Sequence, residues 1–91
     1  MTQNEHMALS FFNLSRSYDG ARQGVWFRGY DDAREIIFFV PDRVLKKYDS
    51  ALGSDEVGGL ASFDRHRNEI LKLAMSLYAE RPQTLYAITS N

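Results

Sequence analysis

The sequence predicts an α+β domain: an antiparallel meander of three to four strands packed with two helices. The expected order is strand, strand, helix, helix, strand, with a candidate edge strand at the N-terminus. Three observations carry this. Residues 25–40 are rich in aromatic and β-branched side chains and read as a hairpin. From Pro41 to about Arg81 the apolar residues fall into helical spacing. Residues 84–89 (Thr-Leu-Tyr-Ala-Ile-Thr) return to strand composition. With 91 residues there is room for one core and not two. A hydrophobic fraction of 44% is enough to fill that core. One small domain over residues 9–90 is the expectation.

Taken in order, residues 1–8 are polar and are expected to be a disordered N-terminal segment, with Met7 a second candidate start. Leu9, Phe11, Phe12 and Leu14 form a short apolar patch suited to an extended arm or an edge strand. Residues 15–24 are turn-rich, punctuated by Asp19-Gly20. Val25-Trp26-Phe27-Arg28-Gly29-Tyr30 is the first hairpin strand and residues 33–40 the second, with Gly29 and Asp31-Asp32 supplying the turn. A half-exposed strand alternates apolar and polar residues, because successive side chains point to opposite faces. The second strand does not. Ile36, Phe38 and Val40 share one face while Ile37 and Phe39 share the other, so both faces call for cover.

Proline suits the start of a helix, where its missing N–H has no partner to lose, and Pro41 stands at such a switch. Val44, Leu45, Tyr48 and Leu52 form the apolar stripe of the first helix, and Arg43, Lys46 and Lys47 its wet side. Gly53 ends it. Ser54-Asp55-Glu56 then offers an N-cap followed by acids at the positive end of a helix dipole. Gly58-Gly59 weakens the new helix by roughly 1 kcal/mol per glycine relative to alanine, so its ordered part is expected nearer Leu60. It runs to about Arg81, where Pro82 stops it. At about 100° per residue, Leu60, Phe63, Ile70, Leu71, Leu73, Ala74, Leu77 and Tyr78 share one arc. Arg67 falls inside that arc, with Asp64 three residues earlier and within helical reach. His66 lies at the arc's edge.

Charge and composition exclude several functions. Eleven basic and twelve acidic residues give a net charge of -1, with no polybasic block to neutralise phosphate or anionic lipid. Nucleic acid and membrane are therefore not the expected partners. With no cysteine, disulfides, thiolate catalysis and Cys-based zinc sites fall away, which suits a reducing cytoplasm. No apolar run approaches the roughly 20 residues that span a bilayer. Residues 1–6 carry neither the basic region nor the apolar run of a signal peptide. The expected location is the cytoplasm.

The stretch from Leu9 to Asp19, with Ser15-Arg16-Ser17-Tyr18-Asp19, resembles the start of a bacterial family, domain of unknown function 1488. So do Val25-Trp26-Phe27-Arg28-Gly29, the segment Phe63-Asp64-x-His66-Arg67-x-x-Ile70, and Ala74-x-x-x-Tyr78. The resemblance covers roughly residues 9–90 and contains no catalytic signature. It implies a small bacterial α+β domain, an antiparallel sheet packed with helices, with no assigned activity.

The chemistry-bearing residues each have a bland and a functional reading. His6 and His66 are the only histidines, sixty residues apart, without the neighbouring ligands a metal needs. No serine sits in G-x-S-x-G, and no paired base serves one. The glycine-rich stretch 53–59 is acidic at its centre and would repel phosphate. Asp31-Asp32 and Asp55-Glu56 are most simply turn and helix-start residues. No catalytic residue, metal site or cofactor is expected, and the protein is not expected to be an enzyme. Arg67 either lays its stem over apolar surface and pairs with Asp64, or grips an anionic ligand in a groove. Trp26, Arg28 and Tyr30 share one strand face. Such a face can stack single-stranded bases, or form a core or protein interface. The balanced charge favours the second. The expected function is an interaction or structural module that self-associates, built as a two-fold homodimer on the uncovered sheet face or through edge pairing. A nucleic-acid-binding face and an anion site at Arg67 are the alternatives, and Trp26, Arg28, Tyr30, Asp64, His66 and Arg67 are the candidate residues.

Overall fold

A computed structural model describes residues 9–49 and 55–89, so the reading of residues 1–8 as disordered, of Leu52 as a helix residue and of Gly53 as the helix end lies outside it. The elements are β1 (Arg16–Asp19), β2 (Gly24–Asp31), β3 (Arg34–Pro41), α1 (Asp42–Tyr48), α2 (Glu56–Arg65), α3 (Arg67–Glu80) and β4 (Leu85–Ala87). The sheet runs in the order β1-β2-β3-β4. Both pairs on the β1–β2–β3 side are antiparallel, and β3–β4 is parallel.

That parallel pair corrects the expectation of an antiparallel meander. A parallel pair needs a long crossover connection, and the three helices between β3 and β4 supply it. The hairpin is more regular than its turn residues suggested. Only Asp32-Ala33 separate β2 and β3, and Asp32 takes the left-handed conformation at φ 56, which aspartate tolerates. Gly29 is a strand residue and not part of the turn; it pairs with Ile36. The arm also proves useful: Ser10 and Tyr30 exchange both backbone bonds, at 2.8 and 2.9 Å. Residues 11–15 bulge out between that contact and β1.

The register sorts the side chains. Val25 lies opposite Val40 and Phe27 opposite Phe38, and with Ile36 all five are buried beneath the helices. Phe27 stacks on Phe38 at 5.2 Å, Phe38 on Tyr86 at 5.1 Å, and Phe63 from α2 meets Phe27 at 5.0 Å. Val44, Leu45, Ile70, Ala74, Tyr78 and Ile88 complete the core, with Leu9 at its margin. Phe11 packs over Gly29, where a Cβ would meet its ring at 2.7 Å. The arm thus closes the end of the core on the helix side.

The long helix is in fact two. His66, at φ -111 and ψ 25, ends α2 and precedes α3, so the described residues form three helices and not two. The first turn of α2 is intact from Glu56, correcting the later start. Asp55, not Ser54, is its N-cap, accepting a hydrogen bond from the Gly58 N–H at 2.8 Å. The two glycines are buried, and Gly59 lets the Tyr18 ring of β1 lie against the helix. At the far end Arg81 is extended and α3 stops, as Pro82 requires.

Candidate functional site

The helices cover one face of the sheet. On the other, the alternation of β2 and β3 sets Trp26 beside Phe39, Arg28 beside Ile37 and Tyr30 beside Glu35, and β4 adds Leu85 next to Ile37 and Ala87 next to Phe39. Trp26 and Phe39 meet at 4.8 Å between ring centroids. The Phe39 ring also lies over Gly24, where a Cβ would come within 2.3 Å of it. Phe12, carried out by the bulge, stacks on Tyr30 at 4.6 Å. Leu85 is 59% exposed and Phe12 71%. Trp26, Ile37 and Phe39 at the centre of the stripe are half-buried.

Its polar groups are placed at the margin and satisfy one another. The Trp26 indole N–H donates to Asp19 at 3.0 Å. The Arg22 backbone N–H, the Trp26 indole and then the Arg22 guanidinium hold the Asp19 carboxyl below its ordinary value. Arg28 lies 3.3 Å from Glu35, which also accepts from the Tyr30 hydroxyl at 3.3 Å. Arg28 on this face is therefore met by a carboxylate. An apolar centre with a neutral, polar rim is the anatomy of a protein contact and not of a phosphate-binding surface.

Asp64, His66 and Arg67 lie elsewhere, at the α2–α3 joint on the helix side, so the six candidate residues form two groups and not one site. Asp64 is held by Arg16 from β1 through two bonds of 2.9 and 2.6 Å. Arg67 reaches the same carboxylate at 3.2 Å and donates to the Leu14 carbonyl at 3.2 Å. Its guanidinium sits 4.8 Å from the centre of the Phe63 ring. The Arg16 hydrogen bonds hold the Asp64 carboxyl below its ordinary value, against a smaller opposing effect of burial. The contacts of Arg67 pin the N-terminal arm to the helix layer. His66 stacks on Tyr48 at 5.5 Å, its Nε2 3.9 Å from Asp49, which also pairs with Arg65.

Among the described residues no group of three or more histidine or acidic side chains could hold a metal ion. No helix there is long and apolar enough to cross a membrane. Phe12, Leu85, Asp19 and Glu35 belong to the open face without having been singled out from the sequence. Ile37 and Phe39 were legible from alternation alone. Leu85 and Phe12 arrive through β3–β4 pairing and the bulge, which have no local signal.

Comparison with known proteins agrees with this architecture. The family model described as "Protein of unknown function (DUF1488)" matches residues 9–89. No curated protein matches the chain. Among solved structures, the crystal structure of a protein of unknown function from the same family, from Shewanella loihica PV-4, is similar with a TM-score of 0.79. It is 16% identical, and the match covers 96% of each chain. At that identity the likeness shows the fold.

Proposed function

The chain belongs to the DUF1488 family of proteins of unknown function, and we propose that it is a non-enzymatic interaction module that self-associates through the sheet face its helices leave open. The observation that carries this is the stripe Trp26, Phe39, Ile37 and Leu85, with Phe12 at its corner. A contiguous apolar patch on a monomer normally marks a contact surface. A second copy is the fitting occupant because the rim is self-neutral, Arg28 against Glu35, and so favours neither a basic nor an acidic partner. The eight-residue strands β2 and β3 span about 26 Å and the shorter β1 and β4 about 13 and 10 Å, so at about 4.8 Å spacing the face is on the order of 350 Å². Two such faces bury roughly 700 Å², the size of a weak, transient contact. The dimer is accordingly reversible and concentration-dependent, not obligate. The cysteine-free composition suits a reducing cytoplasm as its setting.

Sedimentation equilibrium from roughly 1 to 100 µM tests the proposal, a range set by the affinity expected of such an area. The wild-type chain should shift from 10.5 kDa toward twice that mass. Leu85→Asp, at a mostly exposed position, should remain a folded monomer throughout. A wild-type monomer over the whole range overturns the dimer. If removing residues 1–8 then creates association, that segment is the cover instead.

A further inference from the structure

Between α1 and α2, on the helix side and remote from the open face, lies a cavity of about 10 Å³ lined in part by Asp42, Lys46, Gly58, Gly59 and Ser62. Asp42 is 6% exposed and Ser62 2%. Each carries a buried oxygen without a hydrogen-bond partner, Asp42 Oδ1 and Ser62 Oγ. The other Asp42 oxygen accepts from the Tyr18 hydroxyl at 2.6 Å. One oxygen of this carboxyl is therefore tied to β1 while the other faces the helix pair. Buried polar groups left without a partner are costly, and native proteins rarely keep two together.

Three arrangements could relieve them. Ser62 could turn its hydroxyl back to a carbonyl of its own helix, which would satisfy Ser62 and leave Asp42 Oδ1 unmet. It could donate directly to Asp42, which would need the cavity to close. A donor within the cavity serves both at once. The space is that of a single water and is too small for an organic ligand or a hydrated cation. We infer that this cavity is a binding site for one water molecule, which donates to Asp42 Oδ1 and shares a hydrogen bond with Ser62 Oγ. Through Asp42 and Tyr18 that water joins α1 and α2 to β1.

Water–protein Overhauser measurements on the labelled full chain test this, read at the Gly58 and Gly59 amides. The expected result is a long-lived water signal at one or both amides in the wild type, absent in Ser62→Ala. The same variant should raise the unfolding equilibrium constant roughly tenfold. A wild-type chain without that signal overturns the inference. If Ser62→Ala is nonetheless destabilised, the two side chains bond directly. A signal that persists in Ser62→Ala with unchanged stability overturns the bridge as well, because Asp42 alone then holds the water. Sedimentation should not change in any of these variants, which keeps the result separate from self-association.

Discussion

Replacing Gly59 by alanine would ordinarily stabilise a helix. The residue sits inside α2 with no positive φ, so alanine would gain about 1 kcal/mol from propensity alone. Here the added Cβ would lie 2.7 Å from Tyr18 Cε1, 2.9 Å from its Cδ1 and 3.2 Å from Asp42 Oδ1. The ring cannot swing away freely, because its hydroxyl is held by Asp42 at 2.6 Å. Overpacking of this kind costs about 1–3 kcal/mol. Set against the propensity gain, the net expectation is a loss of about 1 kcal/mol, or on the order of 1 M in urea midpoint for a domain of this size. The decisive measurement is a double-mutant cycle at one protein concentration. In a Tyr18→Val background, where the ring atoms are gone and strand preference is kept, Gly59→Ala should become neutral or stabilising by up to about 1 kcal/mol. A higher midpoint for Gly59→Ala alone would refute the reasoning, since it would mean that the helix does not need its close approach to β1.

Arg67→Ala should destabilise the fold by about 1–2 kcal/mol through loss of the Phe63 stack and the Leu14 carbonyl bond, read as a denaturation midpoint; an unchanged midpoint would deny Arg67 a structural role. Asp64 is held below its ordinary value of 3.8, so its contribution is complete above about pH 4 and is lost as pH falls through the lowered folded value. Asp64→Asn should flatten that acid decline by a fraction of 1 kcal/mol, because the pair is partly exposed. The Tyr18 phenol is raised from 10.0 to about 12, chiefly by its bond to Asp42 and then by burial. Its stabilising contribution is therefore present below pH 10 and lost between pH 10 and 12, a decline that Tyr18→Phe should reduce in alkaline denaturation. Tyr78 and Tyr86 are raised as well, so some slope should remain.

What the residues disclosed in advance follows from which signals are local. The period-2 pattern of residues 36–40 separated Ile36, Phe38 and Val40 from Ile37 and Phe39, because successive strand side chains alternate; which set the helices cover was not legible from it. The stripes of the helices were equally plain: Phe63, Ile70, Ala74 and Tyr78 are buried, while Arg65, Asn68, Glu69, Lys72 and Ser76 are exposed. The break at His66 carried neither glycine nor proline to announce it. Arg67 keeps the place inside the apolar arc that its spacing indicated, with its guanidinium over the Phe63 ring. β1 was hidden in a turn-rich segment, since Arg16–Asp19 takes its strand character from pairing with β2 and not from composition. The direction of β4 had no local signal, since helices between two strands allow either direction of return. For the open face, alternation identified the central residues, whereas its corners depend on contacts distant in sequence.

The parallel pairing of β4 also dictates an order of events. β2 and β3 are joined by two residues and can zip within microseconds, but Ile37 and Leu85 close a loop that contains all three helices. During synthesis β4 leaves the ribosome after β1–β3 and the helices. Until it docks, the Ile37–Phe39 stretch of β3 has a bare edge, and the nascent domain is for that interval a template on which another strand can add. The same asymmetry sets where the mature sheet opens first. The amides of Ile37 and Ile88, bonded to Thr84 and Phe39 across this last seam, should exchange with solvent well before those between β2 and β3.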